Sequence, residues 1–159
     1  MRNQSVLFAA LFTSALWLTS CSSGPTLNHG SATAIHTIHI ASFQCADPVI
    51  GAAARNVFVE NLTPYHDVQL VNDTNAEVTI EGTVSVSVGS TAVAGPGMST
   101  TSASGYVTGI TSVASRGANI IASGSAGQDL GKSKAPLPPE TLARTAATKL
   151  LEQLNNRAK

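Results

Sequence analysis

The chain has 159 residues, which suits a single domain. Nine Lys and Arg balance nine Asp and Glu, and charged residues make up only 11% of the chain. That balance offers no long-range attraction to nucleic acid or anionic lipid, no cluster of bases stands out, and so few charges argue against an enzyme.

Met1-Arg2-Asn3 is a short positive segment, followed from Ser5 to Leu18 by a near-continuous apolar run with Phe8, Leu11, Phe12, Leu16 and Trp17. The run is too short to span a bilayer comfortably and ends in small residues, so residues 1–20 read as a secretory signal. Leu18-Thr19-Ser20-Cys21 resembles the lipobox of bacterial lipoproteins. That resemblance implies a signal peptidase that recognises Leu18, Thr19 and Ser20 and cuts before Cys21. Cys21 would then carry a diacylglycerol on its sulfur and a fatty acyl group such as palmitate on its freed amine. The alternative is a plain signal peptide with a chance cysteine at its cleavage site. Two or more acyl chains hold a protein firmly, at about 0.8 kcal/mol per buried methylene. The membrane partner is therefore reached through lipid, and Ser22 in place of a retaining aspartate implies the periplasmic face of the outer membrane.

Without residues 1–20 the chain has 139 residues and loses only Arg2 among its charges, leaving eight bases, nine acids and a formal charge of −1. Cys45 is the one other cysteine, so no intramolecular disulfide is available once Cys21 is acylated; it reads as a buried small apolar residue, the alternative being an intermolecular bridge. Residues 21–34 comprise the lipidated cysteine and a stretch, Ser22–Ala34, rich in Ser, Gly, Thr and Pro, which reads as a flexible tether. Its thirteen residues give a coil span of about 20 Å and roughly 45 Å at full stretch. The folded part must then work close to its own membrane.

Residues 35–154 read as one periplasmic domain, with 155–159 a polar tail. Ile35–Phe43 is a β-branched run typical of a strand. Asp47-Pro48 supplies an N-cap and an N1 proline, and Ile50, Ala54, Val57, Phe58 and Leu62 share one helical face before Thr63-Pro64 ends it. Tyr65–Val71 predicts a second strand. Glu77–Gly89 predicts a third, with Val78, Ile80, Val84, Val86 and Val88 alternating against polar residues, as in a sheet with one open face. Ser90–Gly105, with Gly95-Pro96-Gly97 and a Ser/Thr-rich tail, predicts a long mobile loop. Tyr106–Ser115 and Ile120–Ala126 follow as strands around Arg116-Gly117-Ala118-Asn119. Pro138-Pro139-Glu140 opens a last helix with Leu142, Ala146, Leu150 and Leu154 in line and Ala143, Ala147 and Leu151 beside them. The expected fold class is α+β: a mostly antiparallel or mixed sheet of about five strands with two helices packed on one face.

That order, with its local phrases, resembles the periplasmic domain shared by the curli-secretion lipoprotein CsgG, the penicillin-binding-protein activator LpoB and the amino-terminal domain of TolB. The phrases are a hydrophobic strand ending at Phe43, a glycine-containing helix with Gly51, and Ala76-Glu77-Val78-Thr79-Ile80-Glu81-Gly82 with glutamate for the usual aspartate. A strand pair turning at Gly117 and the alanine-rich helix Glu140–Leu154 complete it. The lipopolysaccharide-assembly lipoprotein LptE has a similar two-helix layout. None of these families brings catalytic residues, and the short tether departs from LpoB-type activators.

The search for chemistry finds little. Gly127-Gln128-Asp129-Leu130-Gly131-Lys132-Ser133 is one residue short of a phosphate loop and runs into Ala135–Pro139 where that loop needs a helix. His36 and His39 are three apart on a strand and point to opposite faces, while His29 and His66 lie elsewhere, so no zinc spacing exists. No nucleophile elbow or close carboxylate pair is present. No catalytic residue, metal or cofactor is expected. The expectation is a non-enzymatic lipoprotein, anchored in the outer membrane, that binds an envelope protein of unknown identity in secretion, surface assembly or cell-wall synthesis. Strand addition at a sheet edge is the expected mode, with no single contact residue assignable. The alternatives are a subunit of an oligomeric CsgG-like pore, its hairpins sharing a barrel, or an LptE-like factor. Oligomeric state stays open.

Overall fold

The computed structural model describes residues 24–27, 34–95, 98–129 and 135–157. Residues 1–20, expected as a signal segment, and Cys21 lie outside these. The elements are β1 (Thr37–Gln44), α1 (Pro48–Leu62), β2 (Gln69–Val71), β3 (Val78–Gly95), β4 (Met98–Arg116), β5 (Asn119–Gly127) and α2 (Pro139–Arg157). The five strands form one mixed sheet in the order β2-β1-β3-β4-β5, an α+β fold as the element pattern predicts. β1 runs parallel to both β2 and β3, because α1 carries the chain back across the sheet between β1 and β2; β3, β4 and β5 form an antiparallel meander.

Local chemistry accounts for the helices. The Asp47 carboxylate accepts from the Val49 amide at 2.8 Å and Pro48 begins α1, so the first turn is capped as expected. Gly51, Ala54, Val57, Phe58 and Leu62 form its buried stripe; Ile50 is half-buried, and Gly51 takes the inner position because a Cβ there would sit 2.7 Å from the Phe43 carbonyl oxygen. In α2 Leu142, Ala143, Ala146, Ala147, Leu150, Leu151 and Leu154 are all buried. Alanine on this helix and Gly124 on β5 let the two approach closely: a Cβ on Gly124 would run into the Ala146 carbonyl and Leu150. Both helices cover the same face of the sheet, against Ile38, Ile40, Val78, Ile80, Val84, Ile110, Ala114 and Ala122.

Phe43 explains the glycine of the Ala76–Gly82 phrase. It pairs with Gly82 across β1 and β3, and its ring covers the space a side chain at Gly82 would take. The same ring meets Phe58 at 4.8 Å between centroids, tilted by 51°. Glu77, beside that phrase, accepts from the His36 amide at 2.9 Å, while the Glu77 amide donates to Thr37 Oγ1 at 3.0 Å. The starts of β1 and β3 are thus tied together.

Four expectations are corrected. The second strand is only Gln69–Val71, not Tyr65–Val71, since the Tyr65 amide turns back to the Leu62 carbonyl at 3.0 Å and Asp67 is engaged elsewhere. The expected tether 22–34 is not free along its length. Leu27 is 1% exposed in the core, with its amide 3.0 Å from both Asp67 carboxylate oxygens. Residues 90–95 and 98–105 are strand and not loop: β3 and β4 stay paired from Val86↔Val107 to Gly95↔Met98. Ser, Thr and Ala in this stretch suit either state in isolation; the pairing of β3 with β4, resumed after a one-residue shift between Ser85 and Val86, decides for strands. The expected polar tail also starts inside α2, which runs to Arg157.

Candidate functional site

β3 and β4 outrun the rest of the sheet. β1 flanks β3 only from Val78 to Thr83, and β5 flanks β4 only back to Gly109. Beyond that point Gln128 still covers β4, its amide donating to the Thr108 carbonyl at 2.9 Å and its side-chain Nε2 to the Val107 carbonyl at 2.6 Å. Ten residue pairs, Val86↔Val107 to Gly95↔Met98, then project as a two-stranded ribbon of about 33 Å. One register shift, between Ser85 and Val86, marks where ribbon leaves body.

The alternation that buries β3 continues after the core has ended. Val84 is buried, Val86 half-buried and Val88 70% exposed, although all three occupy the same face. Among the described residues nothing covers Val88. Both long edges of the ribbon present strand hydrogen-bonding groups with no strand of the sheet beside them.

Charge separates this region from the rest. Residues 82–115 contain no Asp, Glu, Lys, Arg or His, although at the chain average of 11% such a stretch would carry about four charges. Soluble proteins usually blunt exposed edge strands with charges, proline or cover. Here none of the charges falls on the ribbon. An uncharged strand pair with two open edges is suited to accepting a further strand, since each edge offers a ladder of N–H and C=O groups. Sequence reasoning missed this because Ser, Thr and Gly dominate the stretch. Its readable signal is a run of thirty-four residues, 82–115, free of charge.

The remaining candidates do not assemble. A depression of about 260 Å³ on the open sheet face is bordered by Ser42, Gln44, Glu81, Thr83 and Thr111. Glu81 is its one carboxylate, and no His, Lys or Cys lines it to activate the hydroxyls of Ser42, Thr83 and Thr111. A second, of similar size, is bordered by Arg55, Leu70 and Asn72, and the Arg55 Nε is spent on the Ile40 carbonyl at 3.0 Å. His36 is exposed, the His39 Nδ1 pairs with the Val71 carbonyl at 3.1 Å, and His66 packs beside Gly24. Among the described residues no three His, Cys, Asp or Glu side chains are placed to hold a metal ion. Cys45 is a half-buried thiol against the core. Leu18, Thr19, Ser20 and Cys21 lie outside the described residues, and no described helix is long and apolar enough to cross a membrane.

No protein-family model and no curated protein matches the chain. Among solved structures it is similar to PelC from Paraburkholderia phytofirmans, a dodecamer, seen in two crystal forms of which one holds a single-substitution variant. Identity is 17% in both cases, over 84% of this chain and 94% of that one, with TM-scores of 0.45 and 0.44. A likeness of that strength does not transfer function.

Proposed function

We propose that this chain is a non-enzymatic envelope lipoprotein that binds a protein partner by strand addition to the β3–β4 ribbon. The observation that carries the reading is the ribbon itself: ten uncharged residue pairs with no strand of the sheet beside either edge. The envelope location follows from the lipobox resemblance at Leu18–Cys21 and from Ser22, which place the protein on the periplasmic face of the outer membrane through acyl chains on Cys21. The polypeptide supplies the platform and the ribbon supplies the contact. The partner belongs to secretion, surface assembly or cell-wall synthesis.

A pore is the second reading, and one observation favours it. Ten residues per strand match the nine to eleven or so that cross a bilayer, so ribbons from several copies would have the length to line a barrel. Aromatic girdles, which flank such barrels, are not supplied by this stretch: Tyr106 is its one aromatic residue.

Crosslinking and affinity capture of the full-length acylated protein from its own envelope, read by mass spectrometry, separates the two. A dominant envelope protein that is lost with Val88→Lys supports strand addition. Recovery of large assemblies of this chain alone supports the pore. A monomer that captures nothing, or capture unaffected by Val88→Lys, overturns the role given to the ribbon.

A further inference from the structure

The incoming chain is fastened to one end of the sheet. Leu27 fills the core and its amide lies 3.0 Å from both oxygens of Asp67. Gly24 is packed so closely that a Cβ there would sit 2.8 Å from the His66 Nδ1. Ala34 accepts from the Arg116 guanidinium at 3.3 Å, and the His36 amide donates to Glu77 at 2.9 Å. Three charged side chains, in a chain with few, therefore hold the backbone of this segment.

All of these partners occupy the pole where β1, β2 and β3 begin. Gln69 pairs beside Thr37, Ile38 pairs beside Val78, and Arg116 ends β4 at the same level. β3 then runs away from that pole for 18 residues, so the ribbon tip stands about 55 Å from it. Only five residues, Ser22 to Thr26, separate Cys21 from Leu27, a reach of about 20 Å. The chain between anchor and core cannot pass to the ribbon end. Of the four large apolar side chains exposed among the described residues, Val49 at the start of α1, Leu137 just before α2 and Val88 on the ribbon stand toward that far end, and Ile120 stands at the latch pole.

We propose that residues 24–27 are a latch that fixes the anchored end of the chain at the pole opposite the ribbon. The ribbon then meets an uncharged protein strand in the aqueous space, not the bilayer that holds the anchor. The inference rests on the reading of Cys21 as the lipid-bearing residue, and it decides against the barrel in that bilayer.

The test uses the full-length acylated protein, with Cys45→Ser, in vesicles of phosphatidylethanolamine and phosphatidylglycerol carrying a headgroup nitroxide quencher. Fluorophores are attached through Val88→Cys on the ribbon or Ile120→Cys at the latch pole. The expected result is stronger quenching at position 120 than at position 88. Equal or stronger quenching at position 88 overturns the orientation. Amide hydrogen exchange on the same full chain tests the latch itself: the Leu27 amide should exchange about tenfold faster in Asp67→Ala than in the parent. Equal rates overturn it. Loss of vesicle binding in Cys21→Ser is the separate control for the lipid. If the parent itself does not bind vesicles, the lipid reading fails and the orientation with it, while the exchange rates still decide the latch.

Discussion

The body and the ribbon are made from the same two strands and differ in what stands beside them. Up to Thr83 and from Gly109 on, β3 and β4 have flanking strands and helices, and their inward residues Val78, Ile80, Ile110 and Ala114 are buried. Beyond, the alternation persists but Val88 faces solvent. The difference teaches that a strand pattern reports what one face wants and not whether the protein supplies a cover. In the body the cover is α1 and α2; among the described residues the exposed Val88 of the ribbon has none. Charge follows the same division. Asp67, Glu77 and Arg116 fasten the latch pole, and residues 82–115 carry no charge at all.

Mutations in the body should damage stability and leave the ribbon's chemistry intact. Phe58→Ala, at the centre of the core against Phe43, should cost about 3–5 kcal/mol, read as a lower midpoint in chemical denaturation. Gly124→Val should follow at about 1–3 kcal/mol, because the branched side chain would meet the Ala146 carbonyl and Leu150 and push α2 off β5. A stability close to the parent would mean that α2 can move away without penalty. Asp47→Ala removes one capping hydrogen bond and should lower stability by about 1 kcal/mol, with the thermal midpoint as the readout. Val88→Lys sits at the small end of the stability scale, within about 0.5 kcal/mol, since the site is open to solvent. It should nevertheless abolish partner capture. Should Val88→Lys destabilise as much as Phe58→Ala, the division between body and ribbon would not hold.

Much of the body was legible. The buried line of α2 matches the predicted residues from Leu142 to Leu154, because an amphipathic helix announces its inner face by spacing alone. α1 was equally clear from its cap and proline, apart from the exchange of Ile50 for Gly51 on the innermost position. That exchange depends on how near the helix comes to the Phe43 carbonyl, a distance no periodicity encodes. The ribbon and the latch were not legible for related reasons. Ser, Thr and Gly around Gly95-Pro96-Gly97 have no strong preference until a paired strand fixes them, and Leu27 is a lone apolar residue in a polar stretch. Its burial depends on Asp67, forty positions away.

The amino-acid sequence by itself determined the two helices, the five strands and their α+β class, since periodicity, caps and turn residues act over a few neighbouring positions. It also carries the lipobox-like segment ending at Cys21. The tertiary structure alone decided that β1 lies between β2 and β3 in parallel, that Leu27 belongs to the core, and that the pole holding Leu27 and the ribbon tip stand apart. These outcomes are set by pairings and contacts between residues tens of positions apart, where the free energy depends on the whole packed arrangement and not on any local run of residues.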